Sequence, residues 1–440
     1  MEQKTSRNSP QWWREAPWLA GVVAGCIGLW WRGYAFVPLP FIASYDWMEY
    51  VPSAWMVTNR MDVGGYATWR NPLYPGILGH LGELIGYNEA GWLIGSVALF
   101  ATVLAAGLGA RALAGPWAGM VAASIIPFIN PWAEASRWAT LYPTLTACTG
   151  LSLAFGAALV RWPRAPFALL AALFAGLGWG IDFRGIALVI TVAILALTVL
   201  PSVSRTRAAL LGGLMIAGIS IGPLANQALS ISDQRATNTQ VETQRSLELR
   251  LARESDIPYL AQACANEPVT GSYPTPATFL RPCAHAFIRD NLDRFKDQAP
   301  FGVAATLWLL PFVLLPMGRG RRDTWVALMV FGCAWGTMAV MAVWARLNVH
   351  HFVQFSAPIA MTVPVAGAKI FAMLGRYGRA VLPIAATGAV FWVATQGPWA
   401  GKPVSDISKG QEHRILGQMV RFVETTLESD DLLLDCSGFG

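Results

Sequence analysis

The sequence predicts an all-α, polytopic membrane protein, and three observations carry that prediction. First, 54% of the 440 residues are hydrophobic and only 13% are charged, about half the ~25% usual for soluble domains. Second, the apolar residues come in continuous runs, many approaching the ~20 residues needed to cross ~30 Å of hydrocarbon. Third, these runs do not alternate polar with apolar, which excludes a β-barrel. The same composition excludes a soluble globular protein, a disordered chain and a disulfide scaffold.

In chain order the candidate spans are 18–37, 91–109, 112–128, 139–160, 165–180, 185–200, 208–228, 301–316, 324–344, 352–370 and 380–394, eleven in all. The third, fifth, sixth and eighth are short. The first run follows basic residues and has no A-x-A cleavage site, so it reads as a retained anchor.

Orientation follows from Lys and Arg in the short loops. With the N-terminus in the cytoplasm, the inside segments hold Lys4, Arg7, Arg14, Arg111, Arg161, Arg164, Arg205, Arg207, Arg319, Arg321, Arg322, Lys369, Arg376 and Arg379. The outside short loops hold only Arg60, Arg70, Arg137, Arg184 and Arg346. The expected topology therefore has a cytoplasmic N-terminus and an extracytoplasmic C-terminus. Two long loops, 38–90 and 229–300, then face outward, whereas every inside loop is short, and function is expected on the outer side. The expected organisation is one transmembrane domain over 1–397 and a short extracytoplasmic segment over 398–440. In that segment a helix is expected near 412–427 and a short strand near 430–440. There is no convincing internal repeat.

The net charge of +6 does not point to nucleic acid, since no basic stretch exceeds 318–322. The six cysteines show no CxxC or Cys/His cluster of zinc spacing. Cys264 and Cys283 share one outside loop and can pair in an oxidising compartment. Cys26, Cys148 and Cys333 lie in spans, where small apolar packing accounts for them.

Chemistry concentrates just after the first span, in Ser44-Tyr45-Asp46-Trp47-Met48-Glu49-Tyr50. Asp46 and Glu49 share a face if this segment is helical, with the aromatics of a membrane–water interface around them. A carboxylate there can take a proton from an acceptor hydroxyl or hold a divalent cation. Spacing alone equally fits a solvated acidic helix face. Further on, Arg70-Asn71-Pro72-Leu73-Tyr74-Pro75 opens a helix expected to run to about residue 85. Pro72 suits its start, and Leu73, Ile77, Leu81 and Leu84 would form one face, as in a helix lying flat in the interface.

An acidic residue soon after the first span, followed by R-x-P-L-Y-P opening an interfacial helix, resembles the GT-C membrane glycosyltransferases. The group containing protein O-mannosyltransferases and lipid A aminoarabinose transferases is the one it looks most like. The resemblance implies a multi-span enzyme that takes a sugar from a polyprenyl-phosphate carrier, with Asp46 catalytic and Glu49 in support. It also implies inversion at the anomeric carbon, an acceptor that is a glycan, lipid or protein, and a cell-membrane location, expected to be the bacterial inner membrane. One departure stands out: where many relatives carry a second acid this chain has Tyr142, with Glu134 upstream. The second acid is thus lost or replaced, which bears on metal binding.

A departing polyprenyl phosphate requires positive charge, which Arg supplies by bidentate bonding. The outside candidates are Arg70, Arg137, Arg184, Arg346, His350 and His351. For Arg184 the simpler account is an ion pair with Asp182 that anchors its loop. For His350 and His351 it is an interfacial polar cap, and for Arg32 it is snorkelling. Two other functions compete. A transporter or lipid flippase predicts inverted repeats and charges at mid-membrane, neither of which is visible. A polysaccharide ligase or polymerase would place its essential residues in 229–300 instead of at Asp46.

Overall fold

The computed structural model describes residues 12–31, 45–61, 70–128, 140–231, 236–268, 277–297, 346, 354 and 356–396. Among these residues there is no strand. Helix α1 is Trp12–Trp31, α2 Tyr45–Thr58, α3 Leu73–Ile85, α4 Tyr87–Ala114 and α5 Pro116–Ile125. Helix α6 is Leu141–Arg161, α7 Ala165–Ile181, α8 Ile186–Val199 and α9 Arg205–Leu229. After these come α10 Ala236–Arg253, α11 Pro258–Cys264, α12 Pro282–Asp297, α13 Ser356–Met373 and α14 Gly375–Gln396.

Among the described residues, five stretches are long and apolar enough to cross a membrane: Glu89–Ala114, Leu141–Arg161, Phe183–Ser202, Arg205–Leu229 and Ser356–Met373. Four shorter apolar helices, Glu15–Leu29, Pro116–Ile125, Ala165–Ile181 and Ala380–Phe391, accompany them. Over its described residues the chain is thus all-helical, with the apolar helices of a membrane protein. The predicted spans 301–316 and 324–344 lie outside the described residues, as do the tail helix and strand. Boundaries shift elsewhere. Helix α4 begins at Tyr87 and runs to Ala114, past both ends of the predicted 91–109, so the first long loop closes at Gly86. The predicted third span is a short helix that ends in a single 3-10 turn, Ile126–Phe128.

The span helices pack through small residues, because lipid chains supply no hydrophobic drive between helices and close backbone approach must do the work. The tightest case is α7 against α9. Gly176 and Gly180 meet Gly218 and Gly222, and a Cβ on Gly180 would lie 2.8 Å from the Gly222 Cα. Helix α4 lies against α5 and α6, and α13 closes over α4 and α5. Large apolar side chains such as Val97, Leu197, Ile216 and Ile384 point outward along these helices. That is the surface a bilayer requires and water penalises.

The second long loop folds as a unit of its own. Helices α10, α11 and α12 enclose Leu249, Ala252, Leu260 and Phe287, and Cys264 is disulfide-bonded to Cys283. Arg245, 1% exposed, donates from Nη2 to Glu267 Oε1 at 2.9 Å, and Arg281 Nη1 donates to the same oxygen at 2.7 Å. Phe279 and Leu292 join the unit to the main core.

Candidate active site at the long-loop end of the bundle

The first long loop builds the floor of the site. Asp46 and Glu49 sit in the first turn of α2, just before Tyr50; their side chains lie outside the described residues. Helix α2 packs against α3 at Gly79, where any Cβ would collide with Ala54 and Thr58. That contact buries Tyr50, Ala54 and Leu78. The Tyr50 and Tyr74 rings meet edge to face, with centroids 5.3 Å apart.

The expected apolar stripe of α3 is only partly the buried one. Leu73, Tyr74, Leu78, Gly79 and Gly82 face the protein, whereas Ile77 and Leu84 are exposed. The reason is the glycine line, which lets α2 and α3 approach on that face. Ile77 and Leu84 are left on the side where an interfacial helix meets lipid.

Arg70 precedes α3, and its Cζ lies 5.2 Å from the centroid of the Tyr50 ring, a cation–π geometry. Facing it is the turn that joins α7 to α8. Asp182 caps a 3-10 turn, Phe183–Gly185, and accepts from the Arg184 backbone N–H at 2.8 Å. It also takes the Arg184 guanidinium in a fork, Nε to Oδ1 at 2.6 Å and Nη2 to Oδ2 at 2.7 Å. Both residues are at most 2% exposed. A buried pair is tolerated only when its geometry offsets desolvation, and the fork supplies that geometry. Arg184 Cζ also lies 5.2 Å from the Tyr142 ring centroid, so the tyrosine in place of the expected second acid is part of this cluster. Arg70 is close enough for Asp182 to feel its charge. Asp182 thus pairs directly with Arg184 and lies within electrostatic reach of Arg70. Arg184 Nη1 is buried and has no hydrogen-bond partner among the described residues.

Two asparagines that sequence reasoning passed over hold these pieces in register. Asn71 Nδ2 donates to Trp179 O at 3.3 Å. Asn226, on α9, bonds to both α3 and α7. Nothing in a single sequence distinguishes Asn226 from any other polar residue near a span end.

The second loop reaches this end through Glu248 on α10. Its Oε2 accepts from the Arg346 backbone N–H at 3.1 Å, and Arg346 Nε donates to Asp290 Oδ2 at 2.9 Å. Burial pushes the Glu248 carboxyl from an ordinary 4.5 up to about 7, against the pull of Arg346, Arg294 and Arg184. The influence of Arg184 places Glu248 within electrostatic reach of the cluster.

Of the residues singled out from sequence, Arg70 and Arg184 are thus brought together beside the helix that carries Asp46 and Glu49. Arg137, Glu134, His350 and His351 lie outside the described residues. No group of three His, Cys, Asp or Glu side chains converges among the described residues. Asp182, the carboxylate nearest the site, is taken up by Arg184, so the described residues by themselves do not fit a cation.

No protein-family model matches the chain, and no curated protein sequence matches it. Solved structures do match. The oligosaccharyltransferase of Archaeoglobus fulgidus, in complex with Zn and sulfate, is similar with a TM-score of 0.52 at 14% identity, covering 91% of this chain and 56% of that one. The archaeal oligosaccharyltransferase AglB of the same organism, in complex with an inhibitory peptide and a dolichol-phosphate, gives 0.54 at 12%, covering 92% and 56%. The form tethered to an acceptor peptide with the NVT sequon gives 0.51 at 13%, over the same shares. The chain therefore spans little more than half the length of these proteins. At such identities the likeness concerns the fold alone.

Proposed function

We propose that the chain transfers a sugar from a polyprenyl-phosphate carrier to an acceptor at the extracytoplasmic face, with inversion at the anomeric carbon. One observation carries this reading. The helix bearing Asp46 and Glu49 lies against the same few residues that bring Arg70 and the Asp182–Arg184 pair together. An acid that activates an acceptor and cations that receive a departing phosphate are the two ends of one displacement. Similar structures hold a dolichol-phosphate with an inhibitory peptide in one case and an acceptor peptide in another, which supports a lipid-phosphate carrier and an acceptor here.

In this reading Asp46 takes the acceptor proton as the nucleophile attacks the anomeric carbon. Glu49 assists. The bond from that carbon to the phosphate oxygen breaks on the opposite face, and the negative charge moves to the phosphate. Arg70, half-buried over Tyr50, meets that charge first. Arg184, held rigid by Asp182, directs its remaining Nη1 to it, with Arg137, His350 and His351 assigned to the same phosphate. Preorganised donors of this kind cost no reorganisation at the moment of reaction. A divalent cation, if used, would be held by Asp46 and Glu49. The narrower likeness to the O-mannosyltransferase and aminoarabinose transferase group, and a hexose or pentose as cargo, belong to this proposal too. So do the cytoplasmic N-terminus and the extracytoplasmic tail.

Cells lacking the protein should accumulate one polyprenyl-phosphate-linked sugar on the outer leaflet. An unchanged pool of lipid-linked sugars would contradict the reading. A reporter fused at Gly440 that is active only in the cytoplasm would overturn the topology.

A further inference from the structure

We infer that Asn226 is the positioning residue of the transfer site, fixing the separation between Arg70 and the Asp182–Arg184 pair. The inference rests on the proposed reading of that site.

The argument starts from what helix ends lack. The first N–H groups and the last C=O groups of a helix have no partner within it. Helix α3 opens at Leu73 after Pro72, which provides no side-chain cap. The Leu73 N–H is therefore an orphan donor, and it is buried. At the end of α7, Gly178 O is used by the Asp182 N–H, whereas Gly180 O is left to find a partner elsewhere.

Asn226 serves both. Its Oδ1 accepts from Leu73 N at 3.0 Å, and its Nδ2 donates to Gly180 O at 2.8 Å. It is 6% exposed and lies near the end of a helix that is long and apolar enough to cross a membrane. One side chain thus caps the start of one helix and the end of another from a third. The backbones of α7 and α9 are in close contact at Gly180 and Gly222, and the Leu73 side chain also lies against Gly180.

Position in the chain gives this its functional weight. Arg70 lies three residues before Leu73, and Asp182 and Arg184 lie two and four residues after Gly180. Asn226 therefore ties together the segments that carry the two cationic groups, and both of its anchor points are backbone groups, which do not flex like side chains. Asn71, bonded to Trp179 O, is a weaker second strut on the same line. Replacing Asn226 by an apolar residue leaves a buried donor and a buried acceptor unpaired, and the two helix ends must separate to reach water. A misplacement of about 1 Å can lower the rate of an oriented reaction by about 10²-fold.

The test uses the full chain purified in detergent and polyprenyl phosphate without a sugar as probe. Asn226→Leu should weaken binding of polyprenyl phosphate at least tenfold per folded molecule. Asn226→Asp keeps the acceptor for Leu73 and loses the donor to Gly180, and should fall between Asn226→Leu and the unsubstituted protein. Ser152→Ala removes a comparable buried bond between α6 and α7, Ser152 Oγ to Ala171 O at 2.8 Å, away from the cluster. It should lower the melting temperature and leave affinity unchanged. A folded Asn226→Leu protein with unchanged affinity overturns the inference while the transfer reading stands. If Asn226→Leu does not insert, unchanged affinity of Asn226→Asp overturns it instead. Failure of the unsubstituted protein to bind polyprenyl phosphate overturns the transfer reading itself.

Discussion

The two long loops are held by opposite means. Among its described residues the first has no separate core: Tyr50, Ala54, Leu73, Tyr74 and Leu78 belong to the main one. Helices α2 and α3 pair at Gly79, and hydrogen bonds to span ends fix them further: Asn226 to Leu73, Asn71 to Trp179 O, and Arg60 Nη1 to Ala228 O at 3.4 Å. The second carries a small core, a disulfide and a buried Arg245–Glu267–Arg281 network. It meets the rest of the chain through a few apolar contacts and through Arg346. The difference teaches that the first loop is part of the bundle, while the second is a separately braced unit laid against it. A site assembled on the first loop inherits the rigidity of the spans. A unit like the second can be loosened without dismantling that floor.

The comparison breaks most sharply at Asp182. Asp182→Ala leaves the buried Arg184 charge unanswered and should cost about 3–5 kcal/mol, lowering the thermal stability of the whole bundle. A change confined to the second loop would contradict the view that the first loop and the spans form one body. Next is the disulfide, which closes a loop with a sequence separation of 19. Cys264→Ser with Cys283→Ser should cost about 3 kcal/mol in the chain-entropy model. Limited proteolysis should then cut 236–297 and spare α2 and α3. Cleavage in both loops together would show that they are one cooperative unit.

Glu248 sharpens the contact between the two. Its proton is held more tightly in the folded state, with a value near 7 against an ordinary 4.5. The associated stability is fully present below about 4.5 and falls as pH rises, being lost above about 7. The magnitude is on the order of 3 kcal/mol. Glu248→Gln should remove that slope between pH 4.5 and 7 in thermal unfolding. An unaltered slope would place its source elsewhere. The smallest effect belongs to the exposed Arg250–Glu254 pair, 3.8 Å apart, where Arg250→Ala should change stability by less than about 1 kcal/mol.

Much of this was legible in the sequence because membrane spans are governed by length and apolarity, which composition records directly. The helix opening at Leu73 was legible for a similar reason, since Pro72 marks it. Which face of α3 is buried was not: Leu73, Ile77, Leu81 and Leu84 form a stripe on paper, but the glycines between them decide where another backbone can approach. The link through Asn226 was not legible either, because Leu73 and Gly180 are far from it in sequence and an asparagine near a span end has many ordinary uses. Asp182 and Arg184 could be paired by their spacing, but the nearness of Arg70 and Tyr142 to that pair is purely tertiary.

The most direct test of the transfer site is Asp46→Asn. Asn keeps the shape of the side chain and loses the base. With purified protein and a polyprenyl-phosphate-linked sugar, release of the sugar should fall at least ~10²-fold, while expression, membrane insertion and polyprenyl phosphate binding match the unsubstituted chain. Turnover close to that of the unsubstituted protein would show that the proton is taken elsewhere and that Asp46 is not the base.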